Sequence, residues 1–197
     1  MILVYLLFIF LEEVHFYNKL KLAISENNNQ AKIAKLLQRI ESSIGNYLGL
    51  KTLVSFCTGI LSYFVLMIIG IDAPFFWAFL IMLLNFIPTI GSLIATLFPA
   101  TYALLQFGSI EPFLVILLTV GLIQVFIGNV VEPKLMGNTL NISSLATLLA
   151  LSIWGSIWGI TGMFLSVPIT VIMIIIFSQF KSTKAVAILL SEKGAVD

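Results

Sequence analysis

The sequence predicts an all-α protein: a polytopic transmembrane helix bundle with helices broken at Pro88 and near Pro133, plus one basic amphipathic surface helix. Three observations carry that expectation. The 197 residues are 60% hydrophobic and only 10% charged, whereas a soluble domain is roughly half apolar and about 25% charged. Between Lys51 and Lys181 the only charges are Asp72, Glu111, Glu132 and Lys134, which leaves apolar runs of the ~20 residues that cross a bilayer. Two of these runs are interrupted by proline and glycine together, in NFIPTIG at 85–91 and GNVVEPKLMG at 128–137. Proline inside a helix removes a backbone donor and clashes with the preceding turn.

Taken in order, residues 1–11 are apolar for about half the length of a span, have no basic leading segment, and run straight into Glu12-Glu13. They read as the end of a transmembrane helix rather than a signal peptide, which makes the chain the C-terminal part of a longer membrane protein. Residues 12–49 form a polar cytoplasmic segment. Within it, AKIAKLLQRIESSIGNYL aligns Ile33, Leu36, Leu37, Ile40, Ile44, Tyr47 and Leu48 on one helical face, with Lys32, Lys35 and Arg39 around the other. That pattern suits an anionic leaflet and suits equally a helix packed on the protein's own cytoplasmic loops. Gly45 and Gly49 permit a bend before the next helix.

The transmembrane bundle is assigned to 50–180 and a cytoplasmic tail to 181–197. Residues 50–70 make a span closed by Gly70 and the IDAP turn. Residues 75–107, as one helix, would run about 50 Å against a hydrocarbon core of about 30 Å. They must fold near 86–92, as a pair of crossings or as a re-entrant hairpin. Residues 112–131 span again. The uncharged stretch 135–180 holds two helices that turn within WGSIWGITG at 154–162, where Trp154 and Trp158 suit an interface. Basic residues flank both ends of the bundle, so the positive-inside rule requires an even number of passages and a cytoplasmic C-terminus. Asp72 and Glu111 then lie outside, and Glu132-Pro133-Lys134 at or below the cytoplasmic side.

Irregular backbone at membrane depth is tolerated only where protein or a water-filled cavity receives its polar groups. The two interrupted segments are therefore predicted to converge on a solute path built from Asn85, Pro88, Gly91, Asn129, Glu132, Pro133 and Gly137. Freed carbonyls there would coordinate a cation or a hydroxylated solute, and Glu132 would carry a coupled proton or sodium ion. Plainer readings stand beside these. Glu132 beside Lys134 can simply end a helix at the water boundary, and Pro88 with Gly91 can be a structural kink. Gln124 can hydrogen-bond between helices, Gly155, Gly159 and Gly162 can serve close packing, Pro168 can be a kink, and His15 a solvated side chain.

The composition also excludes function classes. A net charge of +1 gives no basic surface for nucleic acid, and the single Cys57 allows neither an internal disulfide nor a cysteine-based metal site. No zinc-protease helix, nucleophile elbow or phosphate-cradling loop is present, so no catalytic residue, metal or cofactor is expected. The expected partners are the lipid bilayer, a small polar solute with sodium ions or protons, and further copies of the chain in a homo-oligomer.

Five motifs occur in a particular order: FIFLEE at 8–13, YLGLKT at 47–52, LNFIPTIGSLIA at 84–95, GNVVEPKLMG at 128–137 and LSIWGSIWGITGMFLSVPIT at 151–170. Together they resemble the C-terminal half of the autoinducer-2 exporter (AI-2E) family, the PerM-like permeases of bacterial inner membranes. The resemblance covers nearly the whole chain. It implies a permease of about eight helices, with Pro88 and Gly91 matching the family's first break and Asn129, Glu132, Pro133 and Gly137 its second. Where the family often carries Lys-Asp after its third helix, this chain has Glu12-Glu13. Family members are associated with export of autoinducer-2, a quorum-sensing signal, and with exchange of sodium or lithium for protons; the context of SSLATLL at 143–149 resembles the signal-exporting branch. The expectation is thus export of a small polar solute, with two alternatives: a sodium/proton antiporter, or a non-transporting membrane scaffold assembled through Gly155, Gly159 and Gly162.

Overall fold

The computed structural model describes residue 11 and residues 27–137 and 140–194. The expected helix end at 1–11 (apart from Leu11), Glu12-Glu13 and His15 lie outside the described residues. Two compact units divide the chain, residues 1–41 and residues 42–197; the account below concerns the second.

Helix α1, Asn27–Ile69, holds the whole basic amphipathic stretch 31–48 and the first predicted span. Gly45 and Gly49 are helical residues inside this unbroken helix, with open space where a Cβ would be. The helix stops where Gly70 takes a left-handed φ of 83° and its N–H bonds back to the Leu66 carbonyl, a conformation without penalty for glycine. One face of α1 is small and polar, with Ser55, Thr58 and Ser62 all buried. Gly59 on this face sits so close to Ala78 and Met82 that a Cβ there would lie 3.2 Å from the Ala78 carbonyl. Small residues of this kind let membrane helices approach closely.

Helix α2, Pro74–Leu84, begins on the proline favoured in a first turn. Helix α3, Ile90–Phe107, returns antiparallel to it and ends at Gly108 with φ 63°. Gln106 closes the base of this hairpin, donating to the Gly70 carbonyl (3.0 Å) and accepting from the Asp72 N–H (2.8 Å). At 1.5 Å per residue α2 is about 16 Å long, too short for a ~30 Å hydrocarbon core. α3, at 18 residues, is long enough, so α2 is the short arm of this hairpin. Its tip, at Asn85–Thr89, lies level with Ser55, roughly 21 Å along α1 from Ile69.

Helix α4, Ile110–Phe126, carries Glu111 in its first turn, where a carboxylate complements the helix dipole. A π-helical turn, Ile127–Val131, and a last turn α5, Glu132–Met136, follow without leaving helical space. The break near Pro133 is therefore a widened turn rather than an unwound strand. The wider ring absorbs the missing donor and the clash of Pro133.

Segment α6, Ser144–Ser178, is capped by the Ser143 hydroxyl, which accepts from the Ala146 N–H at 3.1 Å. At Gly159 it departs from helical geometry (φ 62°, ψ −139°) and folds back into arms 144–158 and 160–178. The turn falls within WGSIWGITG, as expected. Trp154 and Trp158 pack against each other near it, centroids 5.5 Å apart and ring planes tilted by 39°, and Pro168 is buried inside the second arm. Helix α7, Lys184–Leu190, packs at the base of this hairpin, where the Ser143 N–H bonds the Leu190 carbonyl.

The two hairpins open toward opposite ends of α1, the first beside Gly70 and the second beyond Glu132, whose side chain meets Lys51. They touch where Phe86 stacks on Phe164, centroids 4.7 Å apart. One device makes both turns tight: a Cβ on Gly91 would lie 1.9 Å from the Leu84 carbonyl oxygen, and one on Gly162 would lie 1.8 Å from that of Trp154. The central core joins Leu66, Ile71, Ile81, Ala95, Ala100, Ala103, Ile116 and Val120. Outside it, large apolar side chains face away from the protein, Ile68 and Leu105 being 80% and 81% exposed. So much outward apolar surface is what a lipid-facing exterior requires. With four helices long and apolar enough to cross a membrane among the described residues, the chain is a multi-pass all-α membrane protein.

Candidate functional site

The tip of the first hairpin, the π-turn, the base of the second hairpin and α1 line a half-open cavity of about 450 Å³, within the range of small-molecule sites. Each wall follows from local sequence. Hairpin α2–α3 presents Asn85, Pro88, Thr89 and Ser92. The Asn85 amide is held by donating to the Ser55 hydroxyl at 3.1 Å, which fixes the last residue before the turn against α1.

On the opposite wall, Gln124, Val125, Gly128, Asn129, Glu132, Pro133 and Met136 recur in pairs four residues apart. In a regular α-helix, positions four apart drift by about 40° per step, which would carry Met136 far around the axis from Gln124. The π-turn at Ile127–Val131 takes up this drift and keeps one face on the cavity. The proline's effect is thus to aim side chains rather than to strip carbonyls of their partners. The Asn129 amide donates to the Val125 carbonyl of its own helix at 3.0 Å.

Charge enters the cavity as a pair. The Lys51 ammonium, on α1, donates to Glu132 Oε1 at 2.5 Å, with the two side chains 6% and 19% exposed. Tyr47, one turn earlier on α1, is buried at the same wall. The partner of Glu132 is therefore not its neighbour Lys134, which is exposed. Among the described residues lining the cavity, Lys51 and Glu132 carry the charges and offset each other, and Asn85, Ser92, Gln124, Asn129 and Thr147 furnish uncharged hydrogen-bonding groups. Gln124 is 7% exposed, and its Nε2 has no hydrogen-bond partner.

Of the residues singled out from sequence, Asn85, Pro88, Asn129, Glu132 and Pro133 border this one cavity. Gly91 and Gly137 do not. Gly91 acts behind the wall by letting α3 close on Leu84, and Gly137 ends α5 with φ 51°. Sequence reasoning missed Lys51 and Gln124 as cavity residues. Lys51 had the look of a boundary marker, and Gln124 that of a helix-packing amide. The available signal was that Gln124, Gly128 and Glu132 repeat every four residues around a proline. Gly155 faces Met163 across the second hairpin, and Gly162 faces Trp154.

Comparison with known proteins agrees with this architecture. The family model for AI-2E family transporters matches residues 1–182. A candidate transport protein of Borreliella burgdorferi is 40% identical over 190 residues, covering 94% of this chain and 51% of the relative. The AI-2 transport protein TqsA of Escherichia coli K12 is 38% identical over 156 residues, covering 79% and 45%. YhhT of the same organism, a candidate transport protein, is 38% identical over 183 residues, covering 93% and 51%. The chain spans about half the length of the curated relatives it matches. A family match along nearly the whole chain, on a fold that turns at NFIPTIG and widens at GNVVEPKLMG, places this protein in the AI-2E transporter family.

Proposed function

We propose that this chain forms the solute path of a permease that exports a small polar solute of the autoinducer-2 type across the bacterial inner membrane, with its C-terminus cytoplasmic. The observation that carries the reading is the meeting of the two interrupted segments on one cavity, with a partly buried acid in its wall. Broken membrane helices that meet at a cavity are the usual form of transporter substrate sites. A partly buried acid paired with a buried lysine in a cavity wall is the kind of ionisable group that functional sites use. Glu132 is thus the coupling acid, taking a proton or a cation as the solute moves. The substrate type draws support from the relative named for AI-2 transport.

The test is gradient-driven autoinducer-2 flux in proteoliposomes of the complete protein. Glu132→Gln should abolish the part of the flux driven by the ion gradient while the protein stays folded. Unchanged gradient-driven flux would remove Glu132 from the mechanism, and no flux in the wild type would remove the substrate. A scaffold assembled through the glycine face finds less support, because Gly155 and Gly162 are occupied by contacts inside their own hairpin. A sodium/proton antiporter is the other reading within the family's range.

A further inference from the structure

A buried carboxylate that takes sodium needs an ion-sized space in front of it and a net negative charge to hold the ion. In this cavity that place is filled by part of the protein itself. The Lys51 ammonium contacts Glu132 Oε1, both side chains are largely buried, and among the described residues no other charged one lines the cavity. A lysine ammonium is a compact point charge with three donors, close in role to a bound monovalent cation. A sodium ion arriving at Glu132 must evict it, leaving a buried cation unpaired, which is costly. A proton on Glu132 needs no such space.

We propose that Lys51 is a specificity-determining residue, the built-in counter-ion of Glu132, which closes the site to sodium and leaves the cavity to neutral hydrogen-bonding solutes. The proposal rests on the reading of Glu132 as the coupling acid and narrows it: coupling in this protein is indifferent to sodium. The uncharged groups on the remaining walls fit the same picture, since Asn85, Ser92, Gln124, Asn129 and Thr147 offer donors and acceptors but no fixed charge.

The test needs no knowledge of the solute. The complete protein, purified in detergent, is melted in sodium chloride and in choline chloride at equal ionic strength. Wild type should melt at the same temperature in both. Lys51→Met leaves Glu132 unpaired and should melt lower in choline, with sodium restoring about 3–6 °C once it exceeds its dissociation constant tenfold. Lys51→Ser, which leaves room for a hydrated ion, is the second variant and should respond in the same way. Lys51→Met/Glu132→Gln, lacking both charges, should fold and ignore sodium.

Sodium-specific stabilisation of the wild type overturns the proposal. So does a folded Lys51 variant with no sodium response, or misfolding of both single variants that sodium does not restore. Failure of autoinducer-2 flux would remove the substrate reading without altering these melting curves. Sodium-specific stabilisation of a wild type that still exports would remove this proposal alone.

Discussion

Gly91→Ala tests the link between the hairpin turn and the cavity. A Cβ at Gly91 would lie 1.9 Å from the Leu84 carbonyl oxygen and 2.9 Å from Ile87 Cβ. Reaching ordinary van der Waals contact requires the turn to open by about 1.5 Å. The obstacle is backbone, so no side-chain rotation relieves it. Overpacking of this kind costs about 1–3 kcal/mol and occasionally more, against about 1 kcal/mol gained from alanine's better helix propensity. An unrelieved backbone clash of 1.9 Å belongs at the upper end of that range, about 3 kcal/mol, so the expected net loss is about 2 kcal/mol, a fall of roughly 4–8 °C in melting temperature for a chain of this size. Leu84 precedes Asn85, which is tied to Ser55 and borders the cavity. The same opening therefore displaces one wall, and a misplacement near 1 Å can cost about 100-fold in function. Gly121→Ala is the matched control, since its Cβ would meet only Thr96 Cγ2 at 3.8 Å and should leave stability unchanged or slightly raised. Thermal melting in detergent and flux in proteoliposomes read both effects. Wild-type melting and flux in Gly91→Ala would refute the reasoning.

Other expectations concern single hydrogen-bonding groups. Gln124→Met removes a buried amide nitrogen that has no partner and should raise stability by about 1 kcal/mol, seen as a melting temperature roughly 2–4 °C higher; a lower value would show that the amide has a partner in the working protein. Gln106→Ala removes both bonds at the base of the first hairpin and should cost about 1–2 kcal/mol, with faster hydrogen exchange at the Asp72 amide. Unchanged exchange there would contradict the clamp.

The helix bundle was legible because bilayer physics leaves few options: long uncharged runs must be helices, and a run too long for one crossing must fold. Pro88 with Gly91 located the first fold, and the glycines of WGSIWGITG the second. Gly91 was legible as a break but not as a close-packing contact, since its proximity to Leu84 exists only once the hairpin has closed. Pro133 announced an irregularity, yet sequence does not distinguish an unwound stretch from a π-turn, because both accommodate a missing donor. The Lys51–Glu132 pair was the least visible feature. The two residues are 81 positions apart, and a lysine at the start of a span has the same signature whether it faces cytoplasm or turns inward to an acid.

A shared solute path requires both interrupted segments to face one aqueous chamber. The direct measurement is labelling by a membrane-impermeant thiol reagent, with Cys57 replaced by serine, of single cysteines at Thr89 and at Asn129, and at the outward-facing Leu118 as control. The first two should react from the same side of the membrane and block flux when modified, and the third should stay unlabelled. Reaction of Thr89→Cys and Asn129→Cys from opposite sides, or of only one of them, would contradict the shared cavity.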